Sequence, residues 1–105
     1  MLKTVQIALE DILFDAEGVG KMLTDCLRRH RKQRFLGVCQ AGETLIVTFE
    51  ESSIRNENEI VIAPFRSQGA DPVTAEIAER YEHGFILKAS FMVEEKLWGL
   101  FEYEE

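Results

Sequence analysis

The residues best suited to chemistry lie in one short run, Arg28-Arg29-His30-Arg31-Lys32-Gln33-Arg34. It holds five of the twelve Lys and Arg residues of the chain and no acid. Guanidinium and ammonium groups at this density suit a phosphate or another anion. Two readings stand for Arg28, Arg29, Arg31, Lys32 and Arg34. One is a contact for phosphate, RNA or an acidic partner. The other is a solvated helix end that pairs with acids of the same molecule or of a neighbouring copy. The net charge is −7, so general nucleic-acid binding is not expected.

The remaining candidates read as structural. His30 and His83 are the two histidines, each near the expected end of a helix, where a protonated ring suits the dipole. Catalysis would require an orienting partner and a nucleophile beside them, and no motif supplies either. Gly18-Val19-Gly20-Lys21 lacks the spacing of a phosphate loop and continues with Met. Glu94-Glu95 falls at a hairpin tip, and Glu102, Glu104 and Glu105 at the chain end, where solvated carboxylates are expected. Cys26 and Cys39 have no second ligand at metal spacing and read as small buried hydrophobes in a reducing cytoplasm. No cofactor or metal is implied. Trp98, the single Trp, and Tyr81 are candidates for a ligand cleft or a subunit contact, with burial in the core as the competing reading for Trp98.

These residues must be positioned by a chain of 105 residues that is 46% apolar, enough for one domain with one core. Val5, Ile7 and Leu9 alternate with polar or small residues, a half-buried strand. Asp15 is a suitable N-cap, and Val19, Met22, Leu23, Cys26 and Leu27 then form the stripe of an amphipathic helix. Residues 35–40 and 44–50 form a hairpin joined at Ala41-Gly42. Residues 51–59 are polar and connect two halves. Residues 60–65 form a strand that ends near Pro64. Asp71-Pro72 starts a second helix with Asp as N-cap, Val73, Ile77 and Tyr81 as its stripe, and Gly84 as its stop. Residues 85–103 form a final hairpin.

The order strand, helix, strand, strand occurs twice, in pseudo-repeats 4–50 and 60–103. Gln6-Ile7-Ala8 matches Val61-Ile62-Ala63, Phe35 matches Phe85, and Phe49-Glu50 matches Phe101-Glu102. The expected fold class is α+β: six antiparallel strands in one sheet with two helices on one face, with a curl towards a barrel as a variant. In the order of its elements the chain resembles the tandem βαββ plan of bacterial effector-binding domains, the gyrase-inhibitor-like and SOUL-type proteins. That resemblance implies a small apolar ligand in a cleft between the halves, and it carries no motif and no site residue.

No apolar run approaches the ~18–20 residues that span a bilayer, and Met1-Leu2-Lys3 leads straight into a strand without a secretory pattern. The expectation is a cytoplasmic protein without membrane attachment. Leu97–Phe101 is apolar at both parities, so its strand must be covered on both faces. With two short helices available, a second subunit is expected as the cover, with the last hairpin as the seam of a homodimer. The leading reading is a small non-enzymatic binding or assembly protein. The alternative is an effector-binding domain with an apolar cleft.

Overall fold

The computed structural model describes residues 2–29 and 33–104. Eight elements follow in chain order: β1 (Leu2–Ala8), α1 (Leu9–Arg29), β2 (Gln33–Ala41), β3 (Thr44–Glu51), β4 (Glu59–Pro64), α2 (Ala70–Glu82), β5 (Phe85–Val93) and β6 (Lys96–Tyr103). The class is α+β with a βαββ order in each half. The six strands divide into two three-stranded antiparallel sheets, ordered β1-β3-β2 and β4-β6-β5. The described residues form neither a single six-stranded sheet nor a closed barrel. Among the described residues no helix is long and apolar enough to cross a membrane.

The two sheets have the same plan. In each, the third strand of the half runs between the other two. Each also has a register shift at the same place, between Phe35 and Gly37 and between Leu87 and Ala89. The register places Lys3 opposite Phe49 and Val61 opposite Phe101. Lys3, rather than Gln6, therefore holds the place of Val61.

Helix α1 begins earlier than its stripe. Residues 9–14 are already helical, and the helix kinks at Asp15, whose φ of −152° and ψ of 71° are not helical. Asp15 Oδ1 accepts a hydrogen bond from Gly18 N at 3.0 Å, so Asp15 caps the longer segment as its position predicts. Beyond the cap, Val19, Leu23 and Leu27 are buried, Cys26 is half-buried and Met22 is exposed. Their core also contains Ile7, Leu45, Val47 and Phe49 from the first sheet and Ile60, Ile62, Trp98 and Leu100 from the second. Helix α1 thus fills the space that faces both sheets. Its backbone lies close to β4 at Gly20, where an added Cβ would lie 3.0 Å from Ile60 O. One turn on, the Thr24 hydroxyl accepts a hydrogen bond from Ile60 N at 2.9 Å. That contact satisfies an outward-facing N–H of the edge strand β4.

Helix α2 packs on the opposite face of the second sheet. Trp98 and Leu100 belong to the shared core, whereas Phe101, of the other parity, meets Phe65 at 5.9 Å between ring centroids and Arg80 at 4.7 Å. Alternate residues of a strand point to opposite faces. Hence β6 is covered on both faces by its own chain, by α1 on one and α2 on the other. The two-sided apolar pattern of Leu97–Phe101 needs no second subunit.

The inner face of α2 departs from its expected stripe. Val73 and Ile77 are half-buried and Tyr81 is exposed, while Glu76 is buried. Its carboxylate accepts bonds from Arg66 N at 2.9 Å, Arg66 Nε at 3.2 Å and Arg80 Nε at 2.9 Å. The helix N-cap is Gly69 rather than Asp71, so Pro72 falls inside the first turn, where its missing N–H costs no helical bond. Gly84 stops the helix as expected, at φ +91°. At the second hairpin tip Glu94 and Glu95 adopt φ of 48° and 65°, a left-handed pair that favours Asn-Gly.

Three stability measurements follow. Leu23→Ala, at a site with no solvent exposure, should lower the free energy of urea unfolding by about 2–5 kcal/mol; a loss below ~1 kcal/mol would contradict the shared core. Glu95→Gly should raise stability by about 1 kcal/mol by relieving the left-handed strain, and a decrease would contradict that turn geometry. For Glu76, burial raises the carboxyl pKa, but the Arg66 amide and the Arg80 and Arg66 guanidiniums outweigh it, so the net shift is downward from 4.5. A carboxylate whose folded pKa is depressed stabilises the fold above its unfolded pKa and loses that contribution as the pH falls through the folded value. Glu76→Gln should therefore cost about 1–3 kcal/mol at pH 7. The difference from the parent should shrink as the pH drops below 4.5. A difference independent of pH would rule out an ionised Glu76.

Candidate binding surfaces

Two surfaces remain once the core is assigned. The first lies where α1 ends, β2 begins and the polar connection between the halves passes. One hollow of about 280 Å³ is walled by Arg28, Arg55, Asn56 and Glu57. An adjoining hollow of about 210 Å³ shares Arg55, Asn56 and Glu57 and adds Gln33, Arg34, Ser52, Ile54 and Asn58. The two form one polar cleft.

The connection is shaped by its own polar side chains. Asn56 Oδ1 accepts from Asn58 N at 2.8 Å, and Asn56 Nδ2 donates to Glu102 Oε1 at 3.1 Å. Glu102 is buried, with Lys88 Nζ 3.5 Å from its other oxygen. It is therefore an anchor of the loop rather than a solvated chain-end acid. Arg28 Nη2 donates to Glu57 O at 2.6 Å, Arg55 pairs with the Glu57 carboxylate at 3.0 Å, and Arg34 pairs with Glu50. Gln33 is 6% exposed, and its Oε1 has no hydrogen-bond partner among the described residues. A buried amide oxygen without a donor is costly.

Of the sequence candidates, Arg28 and Arg34 come together in this cleft. Arg29 closes α1, while His30, Arg31 and Lys32 lie outside the described residues. Arg55, Asn56 and Gln33 were not singled out by the sequence. Residues 51–59 carry no periodicity, and nothing in a polar connection marks which of its residues will turn toward a distant arginine.

Trp98 and Tyr81 are not brought together. Trp98 is buried in the shared core with its Nε1 unpartnered among the described residues, and Tyr81 is exposed on α2, across the sheet. The space between the halves, where an apolar cleft was expected, is occupied by α1. His83 Nδ1 lies 2.8 Å from Glu79 O at the end of α2. The hollow beside it, with Arg66 and Arg80, has both guanidiniums engaged by Glu76 and Glu79.

The second surface is a groove of about 440 Å³ between β1 and α1, lined by Gln6, Ile7, Asp11, Phe14, Asp15, Gly18, Val19 and Met22. Phe14 is 94% exposed at its lip, and Leu13 and Met22 are also exposed. Leu9 and Ile12 before the kink at Asp15 are buried in the shared core, while Phe14, beside the kink, faces outward. The groove runs beside the outer edge of β1. That edge differs from the other three sheet edges. The edge of β4 is met by Thr24. The edges of β2 and β5 face each other across Gln40, whose amide donates to Met92 O at 3.2 Å and accepts from Met92 N at 3.4 Å. The outer edge of β1 has no such cover among the described residues.

Among the described residues no group of three or more His, Cys, Asp or Glu side chains is placed to hold a metal ion. No family model, curated protein or solved structure matches the chain.

Proposed function

We propose that this chain is a small non-enzymatic assembly module that works as a homodimer joined along the outer edge of β1. The observation that carries this reading is the contrast between edges: three are covered within the chain, and the fourth runs beside an apolar groove with Phe14 at its lip. An uncovered strand edge is a template for another strand, and a twofold axis is the commonest way for a chain to supply it.

Self-pairing of β1 suits the residues present. Antiparallel pairing centred on Val5 places Lys3 opposite Ile7 of the second copy and uses the whole strand. Ile7 and Asp11 line the same groove. Lys3 of one copy therefore comes to the acidic rim of the other, while Phe14 and Met22 are withdrawn from water. The seam differs from the last hairpin, because β6 is already covered on both faces.

The halves are best read as an internal duplication whose copies have diverged in what covers them. Their common strand order and matching bulges support this. The buried carboxylates Glu76 and Glu102 are bound by Arg66, Arg80, Asn56 and Lys88, which suits structure better than acid–base catalysis. Free Cys26 and Cys39 suit the cytoplasm. An effector-binding domain with an apolar cleft has weaker support, because α1 fills the space that the ligand would need.

Sedimentation equilibrium over a range of protein and salt concentrations tests the dimer. The expected mass is twice 12.1 kDa, with association weakened by salt because exposed charges are screened over about 10 Å at 0.1 M. Phe14→Asp should weaken the dimer by about tenfold or more. Lys3→Glu should weaken it as well, and adding Asp11→Lys should restore it. A monomer at every concentration, or a dimer indifferent to all three changes, would overturn the proposal.

A further inference from the structure

The groove beside β1 leaves the arginine cleft unexplained, and the cleft has the makings of a second, independent site. We infer that the cleft formed by Arg28, Gln33, Arg34, Arg55 and Asn56 binds a small organic phosphate that also carries a free hydroxyl or amino group.

The charge comes first. Arg28 donates its hydrogen bond to the Glu57 carbonyl oxygen, a neutral acceptor. Its charge is thus offset by no carboxylate bond among the described residues. Arg55 and Glu57 form a pair in which both side chains are mostly exposed, and an exposed pair of this kind is worth little and is easily exchanged. A phosphate between Arg28 and Arg55 can accept paired N–H bonds from a planar guanidinium, the geometry for which arginine is preferred over lysine. The site faces a chain of net charge −7, so a compact dianion fits it better than a polyanion would.

The second requirement comes from Gln33. Its buried Oε1 calls for a donor, and neither the dianion of a phosphate monoester nor an arginine-bound carboxylate supplies one. A hydroxyl or amino group on the ligand does. The freed Glu57 carboxylate is a second acceptor for the same kind of group. The wall that carries Arg55 and Asn56 is held in place by the Asn56–Glu102 bond, so the site is supported from the second half of the chain while Arg28, Gln33 and Arg34 come from the first.

Amide chemical shifts of the full chain, titrated at about pH 8 and constant ionic strength with ribose 5-phosphate, methyl phosphate and ribose, test this inference. Ribose 5-phosphate should give saturable shifts at residues 33–34 and 52–58, at concentrations about tenfold below those needed for methyl phosphate, and ribose alone should give none. Arg55→Gln and Arg28→Gln should each weaken the phosphorylated sugar by about tenfold. Gln33→Leu, which removes the orphan acceptor, should bring ribose 5-phosphate down to the affinity of methyl phosphate. Unfolding curves of each variant distinguish a lost site from a lost fold, and Arg55→Gln, on an exposed side chain, is expected to remain folded. Absence of saturable shifts, shifts scattered over the surface, or equal response to methyl phosphate and ribose 5-phosphate would overturn the inference. The dimer reading does not depend on this result: these probes act where α1 ends, whereas Phe14 lies in its first segment, before the kink, and the mass of the assembly is measured separately.

Discussion

The structure depends on one close approach, between Gly20–Thr24 of α1 and Ile60 of β4. A helix and the edge of a sheet rarely fit tightly, because side chains hold the helix axis away and the edge presents unpaired backbone groups. Here the helix lacks a Cβ where it would strike Ile60 O, and one turn later it offers a hydroxyl to Ile60 N. The Thr24 hydroxyl also donates to Gly20 O at 2.8 Å, so its orientation is fixed from within the helix. An edge that would otherwise need water or a partner is closed by the first half of the chain. A helix from one βαββ unit thereby becomes part of the core of the other.

That contact determines the rest of the burial pattern. With α1 held against β4, its stripe faces both sheets, and the even-numbered face of β6 is buried by Trp98 and Leu100. Helix α2 then covers the odd-numbered face. The first sheet receives no comparable second cover, which matches the alternation of Thr44–Glu50 against the unbroken apolar run of Leu97–Phe101. Two units with one strand plan therefore live in different environments. The outer edge of β1 is what the arrangement leaves over.

Much of this was legible in the sequence where the signal is local. Asp15 caps a helix from a position that its residue type and the following stripe both indicate. Gly84 takes a left-handed φ after a helix that must stop. The hairpins follow from runs of alternating residues on either side of short turns. What could not be read depends on partners far along the chain. Glu76 looks like an exposed helical acid until Arg66 and Arg80 fold around it. Glu102 looks like a tail acid until Asn56 and Lys88 reach it. The helical turn before Asp15 was hidden because the alternation of Val5, Ile7 and Leu9 runs straight into it, so that Leu9 reads as strand although it and Ile12 are buried one helical turn apart, and the cover for β6 was sought in a second molecule because periodicity cannot say which helix lies on which face. For the same reason Arg28 and Arg34 stood out as a charged run, while Arg55 and Gln33, which complete the cleft, did not.

The shared helix is tested most directly by native-state hydrogen exchange at the Ile60 amide. If the Thr24 hydroxyl closes the β4 edge, this amide should exchange only when the whole chain unfolds. In Thr24→Val it should exchange through local opening, at a rate far above that of the Leu100 amide in the same sheet. An Ile60 amide that exchanges in the parent chain as fast as an uncovered edge amide would contradict the account.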